Sequence, residues 1–123
     1  MAKPCIIDDP AFRALRSGNI QDYHQAIRGR ESVDFSGADL RGTDLREANL
    51  QNVNLRNAYL RHADIRGQDL RNVNLDGASI HNAKISGVYF AKNISPEEIR
   101  LSWEFGTRLR PTSPRKASTR TKR

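Results

Sequence analysis

The chain has 123 residues, of which 37% are hydrophobic and 28% charged, so it has room for one domain and too few apolar residues for a conventional two-layer core. Its net charge of +7 equals the seven basic residues of 107–123, a segment without acidic residues, so the rest of the chain is neutral overall. The single cysteine, Cys5, excludes an internal disulfide framework, and no apolar run approaches the roughly 18 residues of a membrane span. The N-terminus lacks the apolar stretch of a secretory signal, so we expect a cytoplasmic protein without membrane association.

Residues 1–32 are predicted to form an N-terminal helical cap. Asp9 followed by Pro10 is typical of a helix start, and Gly18 is typical of a helix end. A second predicted helix starts at Asn19 and has one apolar face. That face consists of Ile20, Tyr23 and Ile27. We expect the apolar faces of both helices to cover the start of the repeats that follow.

Residues 33–92 consist of twelve consecutive five-residue repeats. They are VDFSG, ADLRG, TDLRE, ANLQN, VNLRN, AYLRH, ADIRG, QDLRN, VNLDG, ASIHN, AKISG and VYFAK. The first place is small or β-branched in eleven repeats, and the second is Asp or Asn in eight. The exception at the first place is Gln68, which we expect either to hydrogen-bond the backbone inward or to mark a local distortion.

The third place of every repeat is large and apolar, and a five-residue period fits neither regular element. In an α-helix every fifth residue moves around the cylinder, and in a flat strand an odd period sends successive side chains to opposite faces. The backbone must therefore turn once per repeat, and Gly or Asn at many fifth places suits such corners. The third-place side chains then form the predicted core: Phe35, Leu40, Leu45, Leu50, Leu55, Leu60, Ile65, Leu70, Leu75, Ile80, Ile85 and Phe90.

This pattern resembles the pentapeptide-repeat family, whose motif is written A(D/N)LXX. The resemblance covers 60 of the 123 residues. It implies a β-solenoid, specifically a right-handed quadrilateral β-helix with four repeats per coil, so that 33–92 would form about three coils. Coils stack about 4.8 Å apart, which gives a solenoid about 14 Å tall.

Residues 93–106 are predicted to form a C-terminal capping helix. Ser95, Pro96 and Glu98 have the spacing of an N-cap, a first-turn proline and a capping-box acid, and Gly106 marks the end. The side chains expected on the last coil are Ile99 and Trp103, with Leu101 or Phe105 as further candidates. Because some family members dimerise through C-terminal helices, the resemblance leaves a monomer or a dimer through this helix as alternatives.

Residues 107–123 are predicted to form a disordered basic tail, since they are rich in Pro, Ser, Thr and basic residues. The tail is either a solubilising segment or an electrostatic binding element for nucleic acid or an acidic protein surface. Its basic residues are Arg108, Arg110, Arg115, Lys116, Arg120, Lys122 and Arg123.

We find no pattern of residues in the sequence that indicates an active site, a cofactor or a metal. A Ser–His–Asp order, a glycine-rich phosphate loop and a CxxC motif are absent, and His62 and His81 lack a third ligand. With 20 residues per coil, one outward column is predicted to contain Arg41, Arg61 and His81 beside Tyr59. Together with His62 these residues are the candidate partner-binding set, unless Asp39 neutralises the face.

Three functions remain open from the sequence. The first is a non-catalytic scaffold for an unidentified protein partner. The second is suggested by the best-understood relatives, which modulate DNA gyrase by mimicking duplex DNA; those proteins are generally longer, acidic and dimeric, whereas residues 33–92 carry eight basic and seven acidic side chains. The third is nucleic-acid binding through the tail.

Overall fold

The structure is a computed structural model that describes residues 7–112. Its elements in chain order are α1 (Pro10–Ser17), α2 (Ile20–Ile27), β1 (Val33–Asp34), β2 (Val53–Asn54) and α3 (Pro96–Phe105). Cys5 and residues 113–123 lie outside the described part. None of the helices within 7–112 has both the length and the apolar character that crossing a membrane requires.

Helix α1 begins and ends at the predicted residues, and α2 begins after the predicted Asn19 and ends at Ile27. The Asp9 carboxylate accepts a hydrogen bond of 2.8 Å from the Ala11 N–H at the start of α1, and Gly18 ends that helix with φ of 82°. On α2, Tyr23 is fully buried, and its hydroxyl donates to the carbonyl oxygen of Asn49 at 2.8 Å. The ring of Phe12 on α1 packs edge-on against the third-place Phe35, with centroids 5.7 Å apart. Both helices therefore contact the first repeats.

The repeats stack with a parallel register of 20 residues. β1 pairs with β2 so that Val33 lies beside Val53. Isolated bridges continue this register, and they join Asp39 to Tyr59, Tyr59 to Ser79, Asp44 to Asp64, Asp64 to Lys84, and Asp69 to Tyr89. A chain that returns beside itself every 20 residues makes four repeats per turn, which is the backbone path of a β-solenoid.

The third-place side chains form the centre of the core, as predicted. The ten from Phe35 to Ile80 are buried, whereas Ile85 and Phe90 are only partly buried. The difference matches the contacts at this end of the stack, where Ser102 of α3 and Leu109 hydrogen-bond the backbone of Ile80 and Ala78. Of the two alternatives for Gln68, the inward hydrogen bond is present: the residue is 8% exposed, and its amide donates to the carbonyl oxygen of Leu45 at 2.6 Å.

Helix α3 contacts the last repeats through the predicted Ile99, which packs against the core, and Trp103, whose indole N–H donates to the Ala83 carbonyl at 2.7 Å, and also through Ser102, which was not predicted. Ser102 is fully buried, and its hydroxyl oxygen accepts a hydrogen bond of 3.0 Å from the Ile80 N–H. Of the two further candidates, Leu101 is partly buried and Phe105 is 71% exposed, and Trp103 is 39% exposed. The edge of the last repeats presents unpaired backbone groups, and the Ser102 hydroxyl and the Trp103 indole N–H bind them, which a phenyl ring cannot do.

The prediction of disorder from residue 107 onwards is wrong for 107–112. Leu109 is 1% exposed; its N–H donates to the carbonyl oxygen of Ala78 at 2.8 Å, and its own carbonyl accepts from the Gly77 N–H at 2.7 Å. Composition favours disorder here, but one buried leucine and these backbone hydrogen bonds hold the segment against the repeats.

Candidate protein-binding face

The second-place Asp and Asn residues stabilise the turns of the solenoid. In all eight repeats that have one, its side-chain oxygen accepts a hydrogen bond from the backbone N–H two residues later. Asp44 accepts from Arg46 at 3.2 Å, and Asn54 accepts from Arg56 at 2.9 Å. Because Asn serves as well as Asp, this place supports turn geometry.

Four of the aspartates are also neutralised within their own repeat. In each case the carboxylate binds an arginine two residues later through both Nε and a terminal nitrogen. The pairs are Asp39–Arg41, Asp44–Arg46, Asp64–Arg66 and Asp69–Arg71. The hydrogen bonds from Arg46 and from its backbone N–H lower the pKa of Asp44 to about 2, and those from Arg71 do the same for Asp69. These carboxylates therefore stay ionised, and their charge is locally cancelled.

Arg56 and Arg61 are the two repeat arginines without such a carboxylate. Their repeats have Asn54 and Tyr59 at the second place, where the others have Asp. Within residues 7–112, neither guanidinium has an ion-pair partner, and both residues are exposed. The two lie in consecutive repeats, and neither guanidinium is neutralised within its own repeat.

Arg108 joins this surface although it lies 49 residues from Tyr59 in the chain. Its guanidinium donates to the Tyr59 hydroxyl at 3.0 Å and to the carbonyl oxygen of Gly77 at 3.0 Å. The guanidinium carbon also lies 5.5 Å from the centre of the Tyr59 ring, at cation–π distance. The sequence placed Arg108 in a separate tail, so its contribution to this surface was missed.

His62 and His81 lie beside each other near the same surface. Their ring centroids are 6.3 Å apart, and Nε2 of His81 lies 3.3 Å from the side-chain nitrogen of Asn82. His62 has φ of 61°, in the left-handed region where glycine or asparagine is usual. Within 7–112, no group of three or more His, Cys, Asp or Glu side chains is placed to hold a metal ion.

The other candidate residues divide into neutralised ones and ones outside the described part. Arg41 binds Asp39, so the predicted column of like charges has less net charge than its sequence suggests. Arg110 binds the carboxylate of Glu98 at 2.8 Å, while the Glu98 N–H donates to the hydroxyl of the predicted N-cap Ser95 at 3.2 Å. The remaining tail residues lie outside the described part: Arg115, Lys116, Arg120, Lys122 and Arg123. We define the cationic face as Arg56, Arg61 and Arg108 with Tyr59, His62 and His81.

Comparison with known proteins identifies the repeats. A family profile described as pentapeptide repeats, in eight copies, matches residues 31–67 and 54–90. No curated protein and no solved structure shows significant similarity to the chain.

Proposed function

Because residues 31–90 belong to the pentapeptide-repeat family, we propose that this repeat scaffold is a non-catalytic module that binds a protein partner through its cationic face. The partner would present an acidic surface. Membership of the family supports a scaffold in general. The choice of the cationic face and of an acidic partner rests on the charges of this chain.

The proposal includes the finer architecture. We propose three quadrilateral coils over 33–92, with residues 1–32 covering one end and residues 93–106 the other. The 20-residue register supports the coil length, and the contacts of Tyr23 with Asn49 and of Ser102 with Ile80 support helices at both ends. A rigid stack of this kind fixes outward side chains relative to one another, so little entropy is lost when a partner binds them.

The observation that carries the proposal is the uneven pairing of the repeat arginines. Where Asp occupies the second place, it forms an ion pair with the arginine of its repeat. Such an exposed pair adds no net charge to the surface and contributes little stability. Arg56 and Arg61 lack this compensation, and Arg108 adds a third guanidinium beside Tyr59. Arginine and tyrosine are also the residue types that contribute most to protein interfaces.

DNA mimicry is less well supported by the same charges. A mimic of duplex DNA needs columns of uncompensated carboxylates. Asp44 and Asp64 form such a column by position, but Arg46 and Arg66 bind them, and Arg46 lies 3.4 Å from Asp64 as well. We therefore prefer an acidic partner to an imitation of nucleic acid. Nucleic-acid binding by residues 113–123 is a separate possibility that the experiment below distinguishes.

The test is affinity capture from the native host with three matched proteins. The double variant Arg56→Gln with Arg61→Gln removes two charges from the cationic face. The control variant Lys84→Gln with Lys92→Gln removes two exposed charges from other sides. We expect the wild type and the control to retain the same acidic protein, and the double arginine variant to lose it.

A protein that ends at Thr112 distinguishes binding through the cationic face from binding through residues 113–123. It should capture the same partner as the full chain, with no nucleic acid in the eluate. Equal capture by the double arginine variant, or loss of all binding on truncation at Thr112, would contradict the proposed face. Light scattering on the same samples tests the alternative of a dimer through α3, where Phe105 and Trp103 leave apolar surface exposed.

A further inference from the structure

A cleft of about 480 Å³ separates the end of α2 from the repeats beneath it. The helix and the turn after it form one wall, and the corner of the first repeats forms the other. Its lining consists of His24, Ile27, Arg28, Gly29, Arg30, Val33, Asn49, Asn52 and Val53. The volume falls within the range of small-molecule sites, roughly 300 to 1,000 Å³.

The polar groups of the cleft are mainly hydrogen-bond donors. Nε2 of His24 accepts a hydrogen bond of 3.1 Å from the Asn49 N–H, so the ring proton is on Nδ1, which is a donor. The side-chain oxygen of Asn49 accepts from the Gln51 N–H at 3.1 Å, which leaves the Asn49 NH₂ group for other contacts. The Asn52 side chain is exposed at the same corner.

The charge of the cleft is positive. Its lining contains two arginines and no carboxylate. Arg30 is largely neutralised, because two of its nitrogens bind the Asp9 carboxylate at 2.9 and 3.1 Å. Arg28 is exposed and has no ion-pair partner among residues 7–112. Arg28 is therefore the group available to bind an anion.

The apolar part of the lining is contiguous with the core. Val33 and Val53 stack 20 residues apart and are each 4% exposed, and Ile27 packs against the same cluster. A ligand that reaches this wall would cover apolar surface as well as contact Arg28.

We propose that this cleft binds a small organic anion, with its carboxylate or phosphate on Arg28 and a compact apolar body against Ile27 and the valines. The Asn49, Asn52 and His24 donors would orient the anionic group. The cleft shares no residue with the cationic face, so this proposal stands or falls separately from the proposed function.

The test is an NMR titration of the ¹⁵N-labelled full chain with phenyl phosphate. Saturable shifts are expected at the backbone amides of Arg28, Gly29 and Asn52. Inorganic phosphate should bind more weakly because it lacks the apolar body, and benzyl alcohol should not bind because it lacks the charge. Arg28→Gln should weaken phenyl phosphate binding about tenfold, whereas Arg100→Gln, an exposed arginine on α3, should leave it unchanged.

Ile27→Ala tests the apolar wall independently of charge. It should weaken phenyl phosphate binding and leave that of inorganic phosphate unaltered, with the spectrum reporting that the variant is folded. The proposal is overturned if these amides show no saturable shift up to about 10 mM ligand, a concentration that would detect even a millimolar dissociation constant. Equal binding by Arg28→Gln would overturn it as well.

Discussion

At the scale of single residues, Gln68 shows how one departure from the repeat changes the backbone around it. In several other repeats the first-place carbonyl accepts from the N–H of the coil above, as Ala38 does from Tyr59 at 2.9 Å. The carbonyl oxygen of Ala48 instead accepts a hydrogen bond of 2.7 Å from the side-chain amide of Gln68. Gln51 in turn donates its side-chain amide to the Asp69 carbonyl at 2.9 Å. Both predicted alternatives for Gln68 are therefore present, since an inward hydrogen bond replaces a backbone one.

Replacing Gln68 by Ala restores the small first-place residue of the motif, yet we expect it to destabilise the protein. The change removes the amide donor of the Leu45 and Ala48 carbonyl oxygens; Leu45 still accepts from the Ala48 N–H at 3.3 Å, whereas the Ala48 carbonyl loses its donor. One buried acceptor without a partner should lower the free energy of unfolding by roughly 1 to 3 kcal/mol. Urea unfolding measures this, with the exposed Gln25→Ala as control. A variant as stable as the wild type would mean that the backbone closes the regular ladder once the glutamine is gone.

Tyr23 gives a second residue-scale prediction, at alkaline pH. Burial raises the pKa of its hydroxyl to about 12, whereas the ordinary value is about 10. The neutral phenol thus contributes stability that is fully present below pH 10 and is lost as the pH rises from about 10 to about 12. We expect Tyr23→Phe to flatten the fall in unfolding free energy over this window. Tyr89→Phe, at a site 60% exposed, should keep the wild-type pH profile; identical profiles for all three proteins would contradict the assignment.

At the scale of the repeat, the sequence predicts the turns and the ion pairs because both are local. Asp or Asn occupies the second place of eight repeats, and where an arginine lies two residues after an Asp it is within reach of the carboxylate. The same local rule contained the signal for the cationic face: Asn54 and Tyr59 leave Arg56 and Arg61 without a carboxylate. The predicted column of stacked residues placed Arg41 in the candidate binding set. Its charge, however, is neutralised by Asp39 of its own repeat, so its position in the column does not decide its role.

Two substitutions of Asp44 separate the turn hydrogen bond from the ion pair. Asp44→Asn keeps an acceptor for the Arg46 N–H, as Asn54 does for Arg56, so stability at pH 7 should change little. Asp44→Ala removes the acceptor and should lower the free energy of unfolding by about 1 kcal/mol. Thermal unfolding of both variants measures the difference. Equal losses would show that the ion pair, and not the turn, is what the aspartate provides.

At the scale of the whole molecule, the sequence predicts the contacts that recur in every repeat and misses the contacts that occur only once. The twelve large apolar residues at the third place predict a solenoid. The four repeats per coil implied by the family resemblance predict its 20-residue register. Nothing periodic marks Leu109, a single leucine in a basic segment, or the pairing of Arg108 with Tyr59 across the chain. Ser102 was missed for a similar reason, since its role depends on unpaired backbone groups that only the assembled edge presents.

Residues 107–112 should therefore stabilise the fold, and two truncations test this. A protein ending at Thr112 should unfold at the wild-type temperature. A protein ending at Gly106 loses the buried Leu109, whose burial contributes roughly 1.5 to 3 kcal/mol, and the hydrogen bonds of Arg108 to Tyr59 and Gly77. For a chain of this size that loss should lower the melting temperature by several degrees. Leu109→Ala in the full chain should reproduce much of the shift, because it removes the anchor and keeps every charge. If instead all four proteins melted together, the segment would contribute nothing to the fold, and Arg108 would have to be counted with the tail.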